Sequence, residues 1–309
     1  MRPRVSVVIP TYNRAADLQR ALDSVRAQTL GAWEVLVVDN HSSDDTDAVV
    51  RACMDPRVRL LKIHNQGIIA ASRNLGVREA QGEFVAFLDS DDWWAPTKLE
   101  ASMAMLDRGA DVVYHDLFLA DGRGTMSRRR LARTRALREP AARDLIAHGN
   151  ALNNSSVLVR RACLTEIGGL SEESELVAIE DYDAWIRLTH RAAKFVRLDQ
   201  TLGYYWVGGG NTSNAKRQLS TTAAIRMRHA ADFAAADAEL GFNWIGLAQG
   251  QAFLTLGHHR DARRSLAPYL WNKAPLRWKA KALAWILLSL VREVLHGSAR
   301  RSEADGGAP

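Results

Sequence analysis

The residues able to do chemistry fall in four short stretches. Asp89-Ser90-Asp91 sets two carboxylates two positions apart, directly after the apolar run Phe84 to Leu88. Two carboxylates so close repel each other unless a cation lies between them, and hard oxygen donors of this kind suit Mg2+ or Mn2+ carried with substrate phosphates. The same D-S-D-D string is also good capping chemistry ahead of a helix. Asp39 closes a second apolar run. A carboxylate there can accept from a nucleobase imide or a ribose hydroxyl, or turn back on Asn40 to Asp44 as an Asx-turn. Arg73, within Asn65 to Gly76, offers a planar fork of donors that suits a diphosphate or a surface ion pair. Glu180-Asp181 opens a helical stretch behind Leu176 to Ile179. Carboxylates in a first turn satisfy the helix dipole, and a partly buried pair raises one pKa toward general-base range. Spacing alone does not choose between those roles.

These stretches need a frame that brings them together. Val5 to Ile9, closed by Pro10, and Trp33 to Val38, closed by Asp39, read as buried parallel strands. Between them Ala15 to Gln28 places Leu18, Leu22 and Val25 on one helical face, completing a βαβ unit. Val58 to Ile63, the helical stretch Ile69 to Ala80 and Phe84 to Leu88 continue the alternation. The pattern predicts an α/β fold: an open, mostly parallel sheet with helices on both faces, whose ligands bind at the carboxyl ends of the strands. Pro10 to Arg14, Asp39 to Ser43 and Asp89 to Asp92 all fall on that edge. No G-x-G-x-x-G follows the first strand and no G-x-x-x-x-G-K-[ST] occurs, which removes a dinucleotide fold and a phosphate-binding loop.

Further along, Asn153 to Val159 reads as a strand and Cys163 to Ile167 as a short helix ended by Gly168-Gly169. Glu180 to His190 reads as a helix with Trp185 and Leu188 inward. After Gly208-Gly209-Gly210 the Ala-rich sequence predicts helices to about His296, with a helical hairpin over Ala248 to Leu270 and a disordered tail over 298–309.

Composition narrows the class. The 309 residues are 47% hydrophobic and 25% charged, which excludes a disordered or fibrous chain. Two cysteines exclude a disulfide scaffold or a zinc cluster and fit a reducing compartment. Val5 to Ile9 is too short for a signal-peptide core, and no apolar run approaches the ~20 residues of a membrane span. These features predict a cytoplasmic protein.

The net charge of +6 is unevenly spread. Residues 123–143 hold eight arginines against Glu139 alone, and 271–301 hold seven Lys or Arg against Glu293 alone. Such segments are either solvated or meet lipid head groups, phosphates or nucleic acid. The arginines carry no interleaved aromatics, so nucleic acid is set aside. Residues 272–296 suit a helix lying peripherally on the anionic inner face of the cell membrane, a terminal helix packed on its neighbour, or a homodimer contact.

An ordered set of segments carries a resemblance: V-S-V-V-I-P-T-Y-N-R (5–14), V-V-D-N-H-S-S-D-D-T (37–46), A-S-R-N-L-G-V-R-E-A-Q-G-E-F-V-A-F-L-D-S-D-D-W-W (71–94), S-S-V-L-V-R-R (155–161), I-G-G-L (167–170) and E-D-Y-D-A-W-I-R-L (180–188). Together they resemble the family 2 glycosyltransferases, inverting nucleotide-diphospho-sugar enzymes with a GT-A fold. The resemblance implies a GT-A domain over 1–215, with a nucleotide-sugar half (1–94) and an acceptor half (95–215), followed by a helical extension over 216–297. It implies that Pro10, Thr11, Tyr12, Asn13 and Asp39 line the nucleotide pocket, with Gly67, Arg73, Asp89 and Ser90 toward the ribose and diphosphate. Asp91, with Asp89, would hold Mn2+ or Mg2+. Asp181 would take the acceptor proton, with Glu180 as the second candidate. Trp93, Trp94, Gly169 and Trp185 would border an acceptor cleft, where flat rings suit sugar faces.

The implied partners are a nucleotide-diphospho-sugar donor, UDP-linked by family habit, and a glycan or lipid-linked glycan acceptor, in polysaccharide or cell-surface glycan synthesis. One segment departs from the pattern. Where relatives often read Y-R-x-H-x-x-N-x-S, this chain has Tyr205-Trp206-Val207-Gly208-Gly209-Gly210-Asn211-Thr212-Ser213. Without that arginine and histidine the site leans harder on Asp91 and Arg73 or closes differently, and the glycines suit a lid hinge, weak metal binding or a decayed enzyme. A sugar-nucleotide pyrophosphorylase would carry a Gly-rich loop where Pro10 to Arg14 stands. A non-catalytic sugar-nucleotide or glycan binding protein on the same fold is the other alternative, and intact Asp91 and Asp181 weigh against it.

Overall fold

The computed structural model describes residues 2–120, 126–208 and 214–305. All seven residues of β1 (Val5–Thr11) and of β2 (Trp33–Asp39) are buried, as β-branched runs covered on both faces must be. Between them, α1 (Ala15–Arg26) turns Leu18, Leu22 and Val25 into the core against β1 and β2. Next, α2 (Thr46–Ala52) leads to β3 (Val58–Lys62), and α3 (Ile69–Glu79) leads to β4 (Phe84–Phe87). Strands β3, β2, β1 and β4 lie side by side and parallel, with Val5 opposite both Trp33 and Phe84. This register places Thr11 beside Asp39, and Asp89 just beyond the end of β4, on the edge where the sequence pattern puts ligands.

Beyond β4 the sheet becomes mixed. It is built from β5 (Trp93–Trp94), β6 (Val112–Ala120), β7 (Met126–Ala132), β8 (Leu158–Arg160) and β9 (Phe195–Trp206). Strand β8 runs antiparallel to both β4 and β6, β9 is parallel to β6, and β5 pairs antiparallel with β9 at the far edge. Helices α4 (Lys98–Leu106), α5 (Ala141–His148), α6 (Arg161–Glu166) and α7 (Glu180–Thr189) intervene. Within the Arg-rich stretch, residues 126–132 pair antiparallel with β6 as β7 rather than forming a loop, while 121–125 lie outside the described residues. Residues 153–159 are not one strand. The Asn153 side chain accepts from the Ser155 N–H at 3.1 Å and draws Asn154–Ser156 into a 3₁₀ turn, leaving only Leu158–Arg160 extended. Short polar side chains that bond their own backbone compete with strand pairing in this way.

The chain divides into two compact units, residues 1–141 with 150–210, and 142–149 with 211–309. The second is all-helical among the described residues: most of α5, then α8 (Ala215–Arg228), α9 (Ala230–Leu240), α10 (Ile245–Thr255), α11 (His259–Leu266), α12 (Pro268–Trp271) and α13 (Leu276–Asp305). The expected hairpin is α10 against α11, and Leu247, Leu254, Ala262, Leu266, Tyr269 and Ala282 form the core. Helix α13 continues through the expected disordered tail as far as Asp305, in keeping with the helix-forming Ala299, Arg300, Arg301, Glu303 and Ala304; residues 306–309 lie outside the described residues.

Gly76 lets α3 approach β1, because a Cβ there would overlap the Val8 side chain. Replacing Gly76 by Val is expected to cost about 1–3 kcal/mol through overpacking, read as a lower urea midpoint.

Candidate active site

Arg73 on α3 is buried, and its guanidinium is divided between two carboxylates. Nη2 donates to Asp89 Oδ1 at 2.6 Å, and Nη1 donates to Glu180 Oε1. With the Asn154 amide oxygen turned toward it, Nε also reaches that residue at 3.2 Å. Burial works against the guanidinium charge, but the Asp89 and Glu180 carboxylates outweigh it and keep Arg73 protonated. Arg73 is therefore not the free fork expected for a diphosphate. The Arg73 and Glu180 side chains are only 4% and 5% exposed, and charges so desolvated must be paired. Arg73 acts as a clamp joining the end of β4 to the start of α7.

The neighbouring Asp181 is held differently. It is half-buried, and its Oδ1 accepts from the Tyr182 N–H at 2.7 Å while Oδ2 accepts from Asn150 Nδ2 at 3.2 Å. Burial and the adjacent Glu180 carboxylate push its pKa well above the usual carboxylate range, and Arg73 pulls it back only in part. A carboxylate oriented on both oxygens, with a raised affinity for a proton, has the properties of a general base. Glu180 is the more buried of the two, with Oε1 committed to Arg73 and Oε2 unpartnered.

At the end of β4, Asp91 Oδ2 lies 3.5 Å from Arg14 Nη1, and the Asp91 carbonyl accepts from Arg20 Nη2 at 2.9 Å. Asp17 bridges the two arginines, at 3.3 Å from Arg14 and 2.9 Å from Arg20. Each guanidinium also covers an indole, Arg14 over Trp206 at 5.1 Å and Arg20 over Trp93 at 4.2 Å. Burial, then the Asp89 carboxylate, push Asp91 up to about 6 against the pull of Arg14. Asp92 is buried and raised well above its ordinary value, chiefly by burial and then by Asp89 and Asp91; its Oδ1 accepts from the Trp206 N–H at 2.9 Å. Asp91 is thus a largely desolvated oxygen donor repelled by the half-buried Asp89 carboxylate beside it, an arrangement that fits a divalent cation. Of the Gly-rich segment that follows, 209–213 lie outside the described residues, so the expected lid hinge does too.

The remaining donor-side residues separate into framework and surface. The Asp39 carboxylate is fully buried, accepting from the Ser42 N–H and Oγ and from Lys62 Nζ at 2.6 Å. It is the Asx-type turn with an added ion pair, and its oxygens are not presented to a nucleobase. Asn13 has φ 50° and joins the loops after β1 and β2 by accepting from the Ser43 N–H at 2.8 Å. His41 stacks on His64 with centroids 3.7 Å apart, and Asn40 accepts from the Asn65 N–H, so the loops after β2 and β3 are joined as well. Gly67 takes φ 82° and donates its N–H to Asn65 Oδ1. Pro10, Thr11 and Ser90 are buried, with Thr11 Oγ1 unpartnered, whereas Tyr12 is 57% exposed beside them. An exposed ring above a buried edge offers a base a stacking surface.

Two of the residues expected at an acceptor cleft are core residues. Trp185 is fully buried, and Trp94 is buried with its indole N–H donated to the Ser155 carbonyl at 2.7 Å, so neither ring faces an acceptor. Lys98, also buried, sets Nζ 3.9 Å from the Trp94 ring centre, and burial brings its pKa down to about 7. Trp94 belongs to the main hydrophobic core, a setting that sequence spacing does not distinguish from a cleft wall. Trp93 is half-buried and stacks on Tyr204 at 5.1 Å. Gly169 has φ 81° and lies against Asn74, which accepts from the Leu170 N–H and donates to the Leu170 carbonyl; a Cβ there would meet Asn74 Oδ1 at 2.6 Å.

With this geometry in view, comparison with known proteins identifies the frame. The family described as Glycosyl transferase family 2 matches residues 6–158. Residues 6–158 of the chain belong to that family. A curated relative, the UDP-Glc:alpha-D-GlcNAc-diphosphoundecaprenol beta-1,3-glucosyltransferase WfgD of Escherichia coli, is 40% identical over 102 residues, 33% of this chain and 40% of its own length. The chain thus spans less than half the length of this relative. Among solved structures, S. aureus TarS 1-349 in complex with UDP-GlcNAc superposes with a TM-score of 0.58 at 21% identity, covering 96% of this chain and 92% of that one. The mannosyltransferase PcManGT from Pyrobaculum calidifontis, in complex with GDP-Man and Mn2+, gives 0.58 at 18% identity over 95% and 88%. At these identities the two structures establish the shared GT-A fold.

Sequence reasoning missed Asn150, Asn154, Ser155 and Lys62, which position Asp181, Arg73, Asp89 and Asp39 respectively. The N-x-x-N-N-S-S string over 150–156 is the one signal that pointed to a polar turn there. Removing the clamp with Arg73→Ala leaves Asp89 and Glu180 without their shared cation. It is expected to destabilise the fold by about 3–5 kcal/mol in chemical denaturation, with Arg73→Lys recovering only part because one ammonium does not reproduce the fork.

Proposed function

We propose that the chain is an inverting glycosyltransferase that moves a sugar from a nucleoside-diphosphate donor to a hydroxyl of a glycan or lipid-linked glycan. The observation that carries this reading is Asp181: a half-buried carboxylate of raised pKa, oriented on both oxygens and coupled through Glu180 and Arg73 to Asp89 at the strand edge. In this reading Asp181 accepts the proton of the acceptor hydroxyl. The freed oxygen attacks the anomeric carbon, the bond from that carbon to the diphosphate breaks, and the configuration inverts. General-base assistance of this kind supplies roughly 10² to 10⁴ in rate. Arg73 and Glu180 act as positioning residues, since Arg73 Nη1 and Nη2 and Glu180 Oε1 are committed within the clamp. Asp89 and Asp91 would hold a divalent ion, Mn2+ or Mg2+, which when bound neutralises the leaving diphosphate.

UDP is the proposed nucleotide, in keeping with the donor named for WfgD and the ligand bound to TarS; GDP, bound to PcManGT, is the tested alternative. The lipid-linked acceptor named for WfgD supports the same class here. Calorimetric titration of UDP, GDP and dTDP, each with and without Mn2+, is expected to give metal-dependent binding of one nucleotide, lost in Asp91→Ala. Failure of all three to bind would move the weight to a glycan-binding protein on this fold.

Asp181→Asn should lower turnover by roughly 10² or more while leaving nucleotide affinity unchanged. Near-normal turnover would reject Asp181 as the base. The base works only when deprotonated, and its pKa is raised. Activity should therefore fall on the acid side at a pH well above the ~3.9 of an ordinary Asp, read from the acid limb of kcat/KM.

A further inference from the structure

The outer face of α13 has no counterpart in the catalytic reading. Its inner face is accounted for: Ala282 joins Ala262 and Leu266 in the second core, Trp285 and Ile286 pack against it, and Arg263 ties Ser289 and Glu293 at 3.3 and 2.8 Å. On the opposite side Leu276, Leu283, Leu287, Leu290 and Val291 form an exposed stripe, with Leu276 81% and Leu287 53% accessible. At 100° per residue these five fall within roughly a third of a turn, while Ala282 and Ser289 lie across the axis from them. Trp271, just before the helix, is 86% exposed.

Charge decides what such a stripe meets. Lys279 borders it on one side and Arg277 and Lys281 on the other, Lys273 precedes it, and no Asp or Glu occurs between Leu276 and Arg292. A second copy laid on this stripe would bring like-charged borders together. An anionic lipid surface takes up both the leucines and the cations. We propose that α13 docks the protein on anionic membrane, with Leu276, Leu283, Leu287, Leu290 and Val291 sunk at the headgroup boundary and Arg277, Lys279 and Lys281 at the phosphates. No described helix is long and apolar enough to cross a membrane, so this contact lies on the surface. The proposal stands apart from the catalytic one.

Flotation of the full chain with phosphatidylcholine vesicles, with and without phosphatidylglycerol, tests it. The expected result is binding only to the anionic vesicles, weakened by salt, with the bound-to-free ratio falling about tenfold or more in Leu283→Glu/Leu287→Glu. Lys279→Glu/Lys281→Glu should weaken binding while leaving the leucines in place. An unchanged thermal midpoint and far-UV circular dichroism spectrum would show that each variant is folded. Absence of wild-type binding, equal binding of the leucine variant, or a lipid-free dimer by light scattering that the leucine variant splits would each overturn the proposal.

Discussion

Taking the Arg73 guanidinium out of water is costly, and the cost is offset only because carboxylates from two distant parts of the chain take its two terminal nitrogens. Asp89 comes from the loop after β4 and Glu180 from the first turn of α7, 107 residues away from Arg73 in sequence. The parallel strands bring the first to the sheet edge, and the clamp holds the second there. Asp181 inherits its position from this pairing, since it follows Glu180 directly. Its proton affinity has the same origin: the burial that makes the clamp necessary, and the Glu180 carboxylate held by Arg73, both favour the protonated form.

Acidic groups crowd the edge, and the protein treats them unequally. Asp39 is fully paired with Lys62 and the Ser42 loop, which makes it framework. Asp89 shares Arg73. Asp91 faces the more distant guanidinium of Arg14 and is pushed up to about 6 by burial and Asp89. In a medium of reduced dielectric this gradient of neutralisation separates carboxylates that are structure from carboxylates left able to take a proton or a cation. The stacking of Arg14 on Trp206 and of Arg20 on Trp93 belongs to the same economy, because flat rings hold the guanidinium groups near Asp91 with little loss of charge.

The helical unit follows a different logic. Its core is small, and α13 buries one face against α11 while leaving an apolar stripe with basic borders outside. A helix that only capped a core would carry polar residues on its outer face.

Much was determined by the sequence alone. Hydrophobic period set β1, α1, β2, α3 and β4 to within a residue or two, because runs buried on both faces and stripes at 3.6 residues are local properties of the chain. The ordered motifs then singled out Asp89, Asp91, Glu180 and Asp181, of which Asp89 and Glu180 meet through Arg73. Partnership was decided only by the tertiary structure. Nothing local to Arg73 says that Asp89 and Glu180 will occupy it, and nothing local to Trp94 says that it is core, whereas the helical period already turned Trp185 inward. The same holds for Asn153, whose side chain turned an expected strand into a 3₁₀ turn. Side-chain pairing and burial depend on what the fold brings within a few ångströms, and that information lies in residues far apart along the chain.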